Sequence, residues 1–197
     1  MKPIQMAVMF IVLTSAVELG RVEAGAADAP PVAPTQLQLI SLPTPANLLE
    51  EGLKKQEQEN YPGAIADYTE FLKTHPGRAD AYSSRGFSKA MIEDLQGAIQ
   101  DFDRAIELAP DIADTYNARG NVKAMAGKLA QSIRDFNRAI RCDRNFADAY
   151  YNRAIGRHDL GDRQGARLDF HQAAKLFRQQ EDLGGYQQAR EWIDKLR

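Results

Sequence analysis

The chain has 197 residues, 44% of them hydrophobic and 26% charged, the composition of an ordinary globular protein with room for one domain. Its net charge of −2, with the signs mixed along the chain, provides neither the clustered basic face of a nucleic-acid binder nor a polybasic patch for a membrane surface. The single cysteine, Cys142, excludes an intramolecular disulfide, and His75, His158 and His171 fall in no metal-ligand spacing, so no metal or cofactor is expected.

Residues 1–26 read as a secretory signal peptide. Lys2 supplies the positive charge, Met6 to Val17 the apolar stretch, and Ala24-Gly25-Ala26 a small-x-small cleavage site. The apolar run falls short of the ~20 residues that a spanning helix needs. An uncleaved membrane anchor and a buried N-terminal helix are the other readings, and a membrane contact is expected only if the segment stays attached. No cysteine near the cut allows a lipoprotein anchor, and no twin arginine is present. The expected destination is an exported compartment, a periplasm or a thylakoid lumen. Residues 27–44 form a Pro/Ala-rich linker, which stays extended and buries no core. Within it Leu37, Leu39, Ile40 and Leu42 are apolar enough to dock on the first repeat or in the groove, with simple disorder as the alternative.

From residue 45 the chain repeats itself. Ala79-Asp80-Ala81-Tyr82 returns as Ala113-Asp114-Thr115-Tyr116 and as Ala147-Asp148-Ala149-Tyr150, in steps of 34 residues. Arg85-Gly86 returns as Arg119-Gly120 and Arg153-Ala154, and Asp101-Phe102 as Asp135-Phe136 and Asp169-Phe170. Four units fit, at 45–78, 79–112, 113–146 and 147–180. Each predicts two helices, at 46–58 and 62–74, 79–92 and 96–108, 113–126 and 130–142, and 147–160 and 164–179. A period of this length marks stacked supersecondary units, none of which can bury its apolar face alone. Small residues (Gly52, Gly86, Gly120, Ala154; Ala64, Ala98, Ser132, Ala166) mark the helix crossings. Tyr68, Phe102, Phe136 and Phe170 fill the space beside them. After Leu183-Gly184-Gly185, read as a helix-breaking stretch, Tyr186, Ala189, Ile193 and Leu196 form the stripe of one more amphipathic helix within 181–197. Trp192 stands one residue off that stripe.

These residues resemble the tetratricopeptide repeat, with Leu160-Gly161 before a turn and Pro76 and Pro110 after second helices. The pairing of Tyr82…Arg85-Gly86 with Ala98-Ile99-Gln100-Asp101-Phe102 is similar to a cyanobacterial and plastid subtype. The resemblance implies an all-α, right-handed superhelical solenoid of four helix–turn–helix units with a C-terminal capping helix. Departures are Arg144 and Arg178 in place of the terminal proline, and Leu48 and Glu51 in place of the Tyr and Arg in unit one, which mark that unit as an atypical terminal repeat.

Asp67, Asp101, Asp135 and Asp169 recur in the second helices, and Arg85, Arg119 and Arg153 in the first helices of units two to four. Pairing within a unit would set Asp67 against Glu51. The expectation is therefore three inter-repeat bridges, Asp67–Arg85, Asp101–Arg119 and Asp135–Arg153, against solvated surface charges as the alternative. Cys142 takes the register of Leu108 and Leu176 and reads as a small buried hydrophobe, with a redox or intermolecular disulfide role as the alternative.

No nucleophile with a base, paired acid, phosphate-cradling glycine loop or metal cluster is visible in the sequence, so the chain reads as non-enzymatic. The resemblance implies that the first helix of each unit lines a concave groove. Carried over, the lining is Ala46, Leu49, Leu53 and Gln56, then Asp80, Ser83, Phe87 and Ala90. Units three and four give Asp114, Asn117, Asn121 and Ala124, then Asp148, Tyr151, Ile155 and His158. Asn117 and Asn121 would bond an extended peptide backbone, with Phe87 and Tyr151 as side-chain pockets and a row of aspartates along one edge. For each apolar residue, packing between repeats is the competing reading. The Lys/Arg clamp that some relatives use for a C-terminal carboxylate is missing.

The leading expectation is an exported interaction scaffold that holds a peptide or helix of a partner protein, in its specific form an assembly factor for a membrane (photosynthetic) complex. The alternatives are a ligand sensor or enzyme with a pocket near His158, and a self-assembling protein whose Pro-rich arm lies in another copy's groove. The sequence sets no oligomeric state.

Overall fold

The computed structural model describes residues 45–197, so the expected leader, the linker and its apolar Leu37–Leu42 stretch lie outside the described residues. Among those described are nine α-helices and no strand. They run α1 (Pro45–Glu57), α2 (Tyr61–Thr74), α3 (Ala79–Met91), α4 (Leu95–Leu108), α5 (Ala113–Met125), α6 (Leu129–Cys142), α7 (Ala147–Asp159), α8 (Arg163–Gln179) and α9 (Leu183–Lys195). None is long and apolar enough to cross a membrane.

Local signals set the boundaries. Asn60, Asp94, Asp162 and Asp182 each precede a helix, and each carboxyl or amide oxygen accepts the backbone N–H of the glycine three residues on. An Asx N-cap satisfies one of the donors that a helix start leaves unpaired. The turns inside the repeats pass through the left-handed region at Glu59, Glu93, Gly127 and Gly161, one position per 34-residue period. Leu183-Gly184-Gly185 was expected to break the helix and instead forms the first turn of α9. The Asp182 side chain accepts from Gly185 N–H at 2.9 Å, and this cap outweighs the low helix propensity of two glycines.

Within each repeat the two helices cross at the small residues. A Cβ on Gly120 would lie 2.6 Å from the Phe136 ring, and one on Gly52 would lie 2.6 Å from the Tyr68 ring. Tyr68, Phe102, Phe136 and Phe170 are all buried. They form a spine of aromatics, one per repeat, against which the first helices press. At the end of the array α9 covers α8. Ala189, Ile193 and Leu196 are buried, and Trp192 stacks on Phe170 with ring centroids 5.3 Å apart and planes 5° from parallel. Cys142 is half-buried beside the Tyr116–Ala139–Ala149 cluster, so it packs but does not vanish from solvent.

The ion pairs run the other way from expectation. Arg85 holds Asp101, Arg119 holds Asp135 and Arg153 holds Asp169, each inside its own repeat and 16 residues apart. The expected inter-repeat bridges Asp67–Arg85, Asp101–Arg119 and Asp135–Arg153 do not form. Two antiparallel helices joined by a short turn bring those positions opposite each other. Each guanidinium meets its carboxylate with two parallel bonds from Nε and Nη2, for example 2.9 and 2.6 Å in Arg85–Asp101. Glu51 does not leave Asp67 without a cation, because a second one, one helical turn further on, serves every repeat. Lys55, Lys89, Lys123 and Arg157 reach Asp67, Asp101, Asp135 and Asp169 at 2.6 to 2.8 Å. A link between repeats does exist. The remaining Nη1 of each arginine reaches back 16 residues, to Thr69, Asp103 and Asn137. Each guanidinium also lies over the tyrosine three residues before it, at 5.3 to 5.6 Å from the ring centroid.

Candidate functional site: the inner face of the repeats

The first helices of successive repeats, α1, α3, α5 and α7, touch one another directly, while the second helices pack on the first helices of their own and the following repeat. Elements that meet across every repeat boundary lie on the inside of the curve, so α1, α3, α5 and α7 form the inner layer.

The residues expected to line that layer divide into three groups. Leu53, Phe87, Asn121 and Ile155 occupy one position per repeat and remain partly exposed, Leu53 most of all. Phe87 meets the Tyr61 ring edge-on at 6.4 Å, giving the face an aromatic corner between repeats one and two. A second group is spent on packing. Leu49 lies against the Phe71–Leu72–Ala81 cluster, and Ala90 is buried. Tyr151, expected as a pocket, is buried with its ring edge-on to Phe170 and Phe177 at 5.4 and 6.3 Å. The helix turn that carries it faces α8, so it belongs to the core. Asn117 accepts from Asn152 Nδ2 at 3.0 Å, and Ser83 Oγ lies 3.5 Å from Thr115 Oγ1. Both therefore tie neighbouring repeats together and leave Asn121 as the freer amide. Gln56 likewise accepts from Tyr68 and Ser88, each at 3.1 Å. The side chain of Ala46 lies outside those described. Trp192 covers His158, with ring centroids 5.1 Å apart, and Asp159 flanks the imidazole at 3.3 Å, so the expected pocket position is filled by the capping helix.

The third group is the aspartate row. Asp80, Asp114 and Asp148 stand in the first turns of α3, α5 and α7, and Asp182, the cap of α9, continues the same 34-residue step. Asp80 is neutralised by Arg78, whose guanidinium hydrogen bonds hold the carboxyl below its usual range. The positions matching Arg78 in the next units are Ile112 and Phe146, and there the carboxylates lose their cation. Burial first, and then the charge of Asp143, raise the Asp114 carboxyl. Burial first, and then Asp182 and Asp114, push Asp148 up to about 6. Every lysine and arginine on α3, α5 and α7 is meanwhile engaged with a carboxylate of the outer layer. The ladder that fixes the repeats thus removes the cations of α3, α5 and α7 and leaves their aspartates.

Two antiparallel helices per 34 residues, small crossings, an aromatic spine, an inner layer of first helices and a covering last helix define the tetratricopeptide-repeat fold. Solved structures agree. MamA of Desulfovibrio magneticus RS-1 is similar over 70% of this chain and 77% of its own, with a TM-score of 0.66 at 20% identity. The first tetratricopeptide domain of Spaghetti (RPAP3), solved with the HSP90 peptide SRMEEVD, is similar over 59% of this chain and 93% of its own (TM-score 0.58, 22% identity). YrrB, described as having an unusual peptide-binding site, is similar over 78% and 87% (TM-score 0.59, 14% identity). No family model matches the sequence, and no curated protein matches it.

Proposed function

We propose that the protein is a non-enzymatic interaction scaffold that holds a peptide segment or helix of a partner protein on the face lined by α1, α3, α5 and α7. The observation that carries this is the row Leu53, Phe87, Asn121 and Ile155. One partly exposed side chain per repeat, three of them apolar, is left over after the core has been filled. Side chains that recur at repeat spacing on a concave layer suit an elongated ligand better than a compact one. Spaghetti (RPAP3), solved with a peptide, and YrrB, described as having a peptide-binding site, support the same use of the fold. In its finer form the scaffold is exported, since a short apolar leader with a small-x-small site precedes the repeats, and it serves assembly of a membrane complex in a periplasm or thylakoid lumen. The test is photocrosslinking in the native host from Phe87 or Asn121, with Gln100 on the outer face of α4 as control. Adducts from the inner positions alone support the scaffold. No adducts, or the same adducts from Gln100, overturn it. N-terminal sequencing of the mature protein tests export, and a chain that still starts at Met1 overturns it.

A further inference from the structure

We infer that the segment held on the inner face is basic: an extended peptide that places Lys or Arg side chains against Asp114 and Asp148 while apolar side chains meet Phe87 and Ile155. This rests on the scaffold reading above and names the chemistry of its partner.

Three observations converge on it. The face is open where a ligand needs apolar contact, at Phe87 and Ile155, both partly exposed. Its cations on α3, α5 and α7 are unavailable. Arg85, Lys89, Arg119, Lys123, Arg153 and Arg157 are each fixed to a carboxylate of α4, α6 or α8 at 2.6 to 2.8 Å. Its remaining carboxylates are uncompensated, because Asp114 and Asp148 have no ion-pair partner among the described residues, whereas Asp80 has Arg78. A carboxylate in the first turn of a helix is favoured by the helix dipole, and that alone accounts for an aspartate at this position. It does not account for stacking two of them beside Asp143 and Asp182 with no counter-ion, an arrangement that an incoming cation relieves and an incoming carboxylate worsens. Successive first helices are roughly 10 Å apart, about one turn of a polyproline-II chain, whose three residues rise about 9 Å and bring every third side chain to the same face. A cation at every third position of the ligand therefore meets successive aspartates.

The experiment measures binding of the purified protein to three labelled twelve-residue peptides, (Lys-Leu-Ala)4, (Gln-Leu-Ala)4 and (Glu-Leu-Ala)4, by fluorescence anisotropy at low and high salt. The expected order is Lys, Gln, Glu, with about threefold weaker binding of the lysine peptide for each aspartate removed by Asp114→Asn or Asp148→Asn. The order should collapse in high salt. Equal affinity for the three peptides, or an order unchanged in the Asp114→Asn/Asp148→Asn protein, overturns the charge assignment. If such equal binding is still weakened by Phe87→Ala, the scaffold reading survives. Binding that Phe87→Ala and Ile155→Ala leave untouched, or no binding of any of the three, overturns both.

Discussion

Arg119 joins two repeats through one side chain: Nε and Nη2 hold Asp135 at 3.0 and 2.7 Å, and Nη1 holds Asp103 of the preceding repeat at 2.6 Å. Asp135 is buried and Asp103 is exposed, so the two halves of this link differ in energy. Arg119→Leu leaves Asp135 with Lys123 alone. Breaking a buried pair costs about 3–5 kcal/mol when nothing replaces the lost partner, and the surviving Lys123 should reduce that to about 2 kcal/mol. Asp103→Ala should cost under about 0.5 kcal/mol, as an exposed pair does. Urea unfolding of both variants measures the ratio. Equal losses would mean that the fork on Asp135 contributes nothing beyond a surface contact.

Unit one offers the reverse experiment. Asp67 is largely buried and holds only Lys55, because Glu51 stands where the other repeats carry arginine. Glu51→Arg removes a negative charge and supplies the missing fork, so it should stabilise the protein by about 1 kcal/mol. Leu48→Tyr, added to it, restores the ring over which the guanidinium lies in the other repeats. Thermal unfolding should show a rise for the first change and a further small rise for the pair.

The turn between the helices of each repeat needs positive φ, and the chain meets that need unevenly. Gly127 and Gly161 adopt φ of 74° and 86° freely, whereas Glu59 and Glu93 are held at 59° and 63°. The left-handed region costs a residue with a Cβ about 1 kcal/mol. Glu93→Gly should therefore stabilise by up to about 1 kcal/mol, less the greater entropy of glycine in the unfolded chain. Gly127→Ala, which meets no atom within 4 Å, should destabilise by a similar amount through backbone strain alone. Opposite signs for these two changes are the outcome that chemical denaturation should give.

The helices were legible because a 34-residue period averages over local ambiguity, and Ala-Asp-x-Tyr and Asp-Phe fix the register three times over. Ion-pair direction was not, although the signal was present. Lys55, Lys89, Lys123 and Arg157 recur at the same step as the aspartates, and noticing them removes the Glu51 objection to pairing within a repeat. The cap at α9 was missed in the same way, since Asp182-Leu183-Gly184-Gly185 repeats the Asx-x-x-Gly spacing of Asp94 and Asp162 although its two glycines read as helix-breaking. The inner face was harder. Tyr151 and Asn117 share one repeat position, yet the first is core and the second bonds Asn152, because what a side chain meets there depends on the neighbouring repeat's own residues. Leu53, Phe87, Asn121 and Ile155, on the turn that faces outward from the packing, keep the exposure their position suggested.

Asp148 should make stability fall with rising pH. Its folded-state value of about 6 lies above the ordinary 3.8, so the native state holds the proton more tightly than the unfolded chain does. The stabilisation is fully present below the unfolded value and is lost as pH rises through about 6, amounting to about 3 kcal/mol at most. Asp148→Asn should remove this slope and exceed the wild type in stability at neutral pH. Urea midpoints for the two proteins between pH 4 and pH 7.5 measure it, and parallel profiles would show that neither burial nor the charges of Asp182 and Asp114 raise Asp148.

Trp192, the sole tryptophan, reports the last step of the array. It stacks on Phe170 and covers His158, and among the described residues α9 packs chiefly on α8. In a linear array each element is held by its neighbours, so a helix packed on one neighbour opens at lower free energy than one packed on two. The tryptophan emission should therefore shift to the red at a lower urea concentration than the loss of helical circular dichroism, with a gap that widens in Ile193→Ala. Trp192→Phe keeps a ring against Phe170 and should cost under about 1 kcal/mol, against about 2 kcal/mol for Trp192→Ala, since the ring is only half-buried. Coincident emission and dichroism transitions would place α9 inside the same cooperative unit as the repeats. The apolar surface of Phe170 and Phe177 would then never be uncovered short of global unfolding.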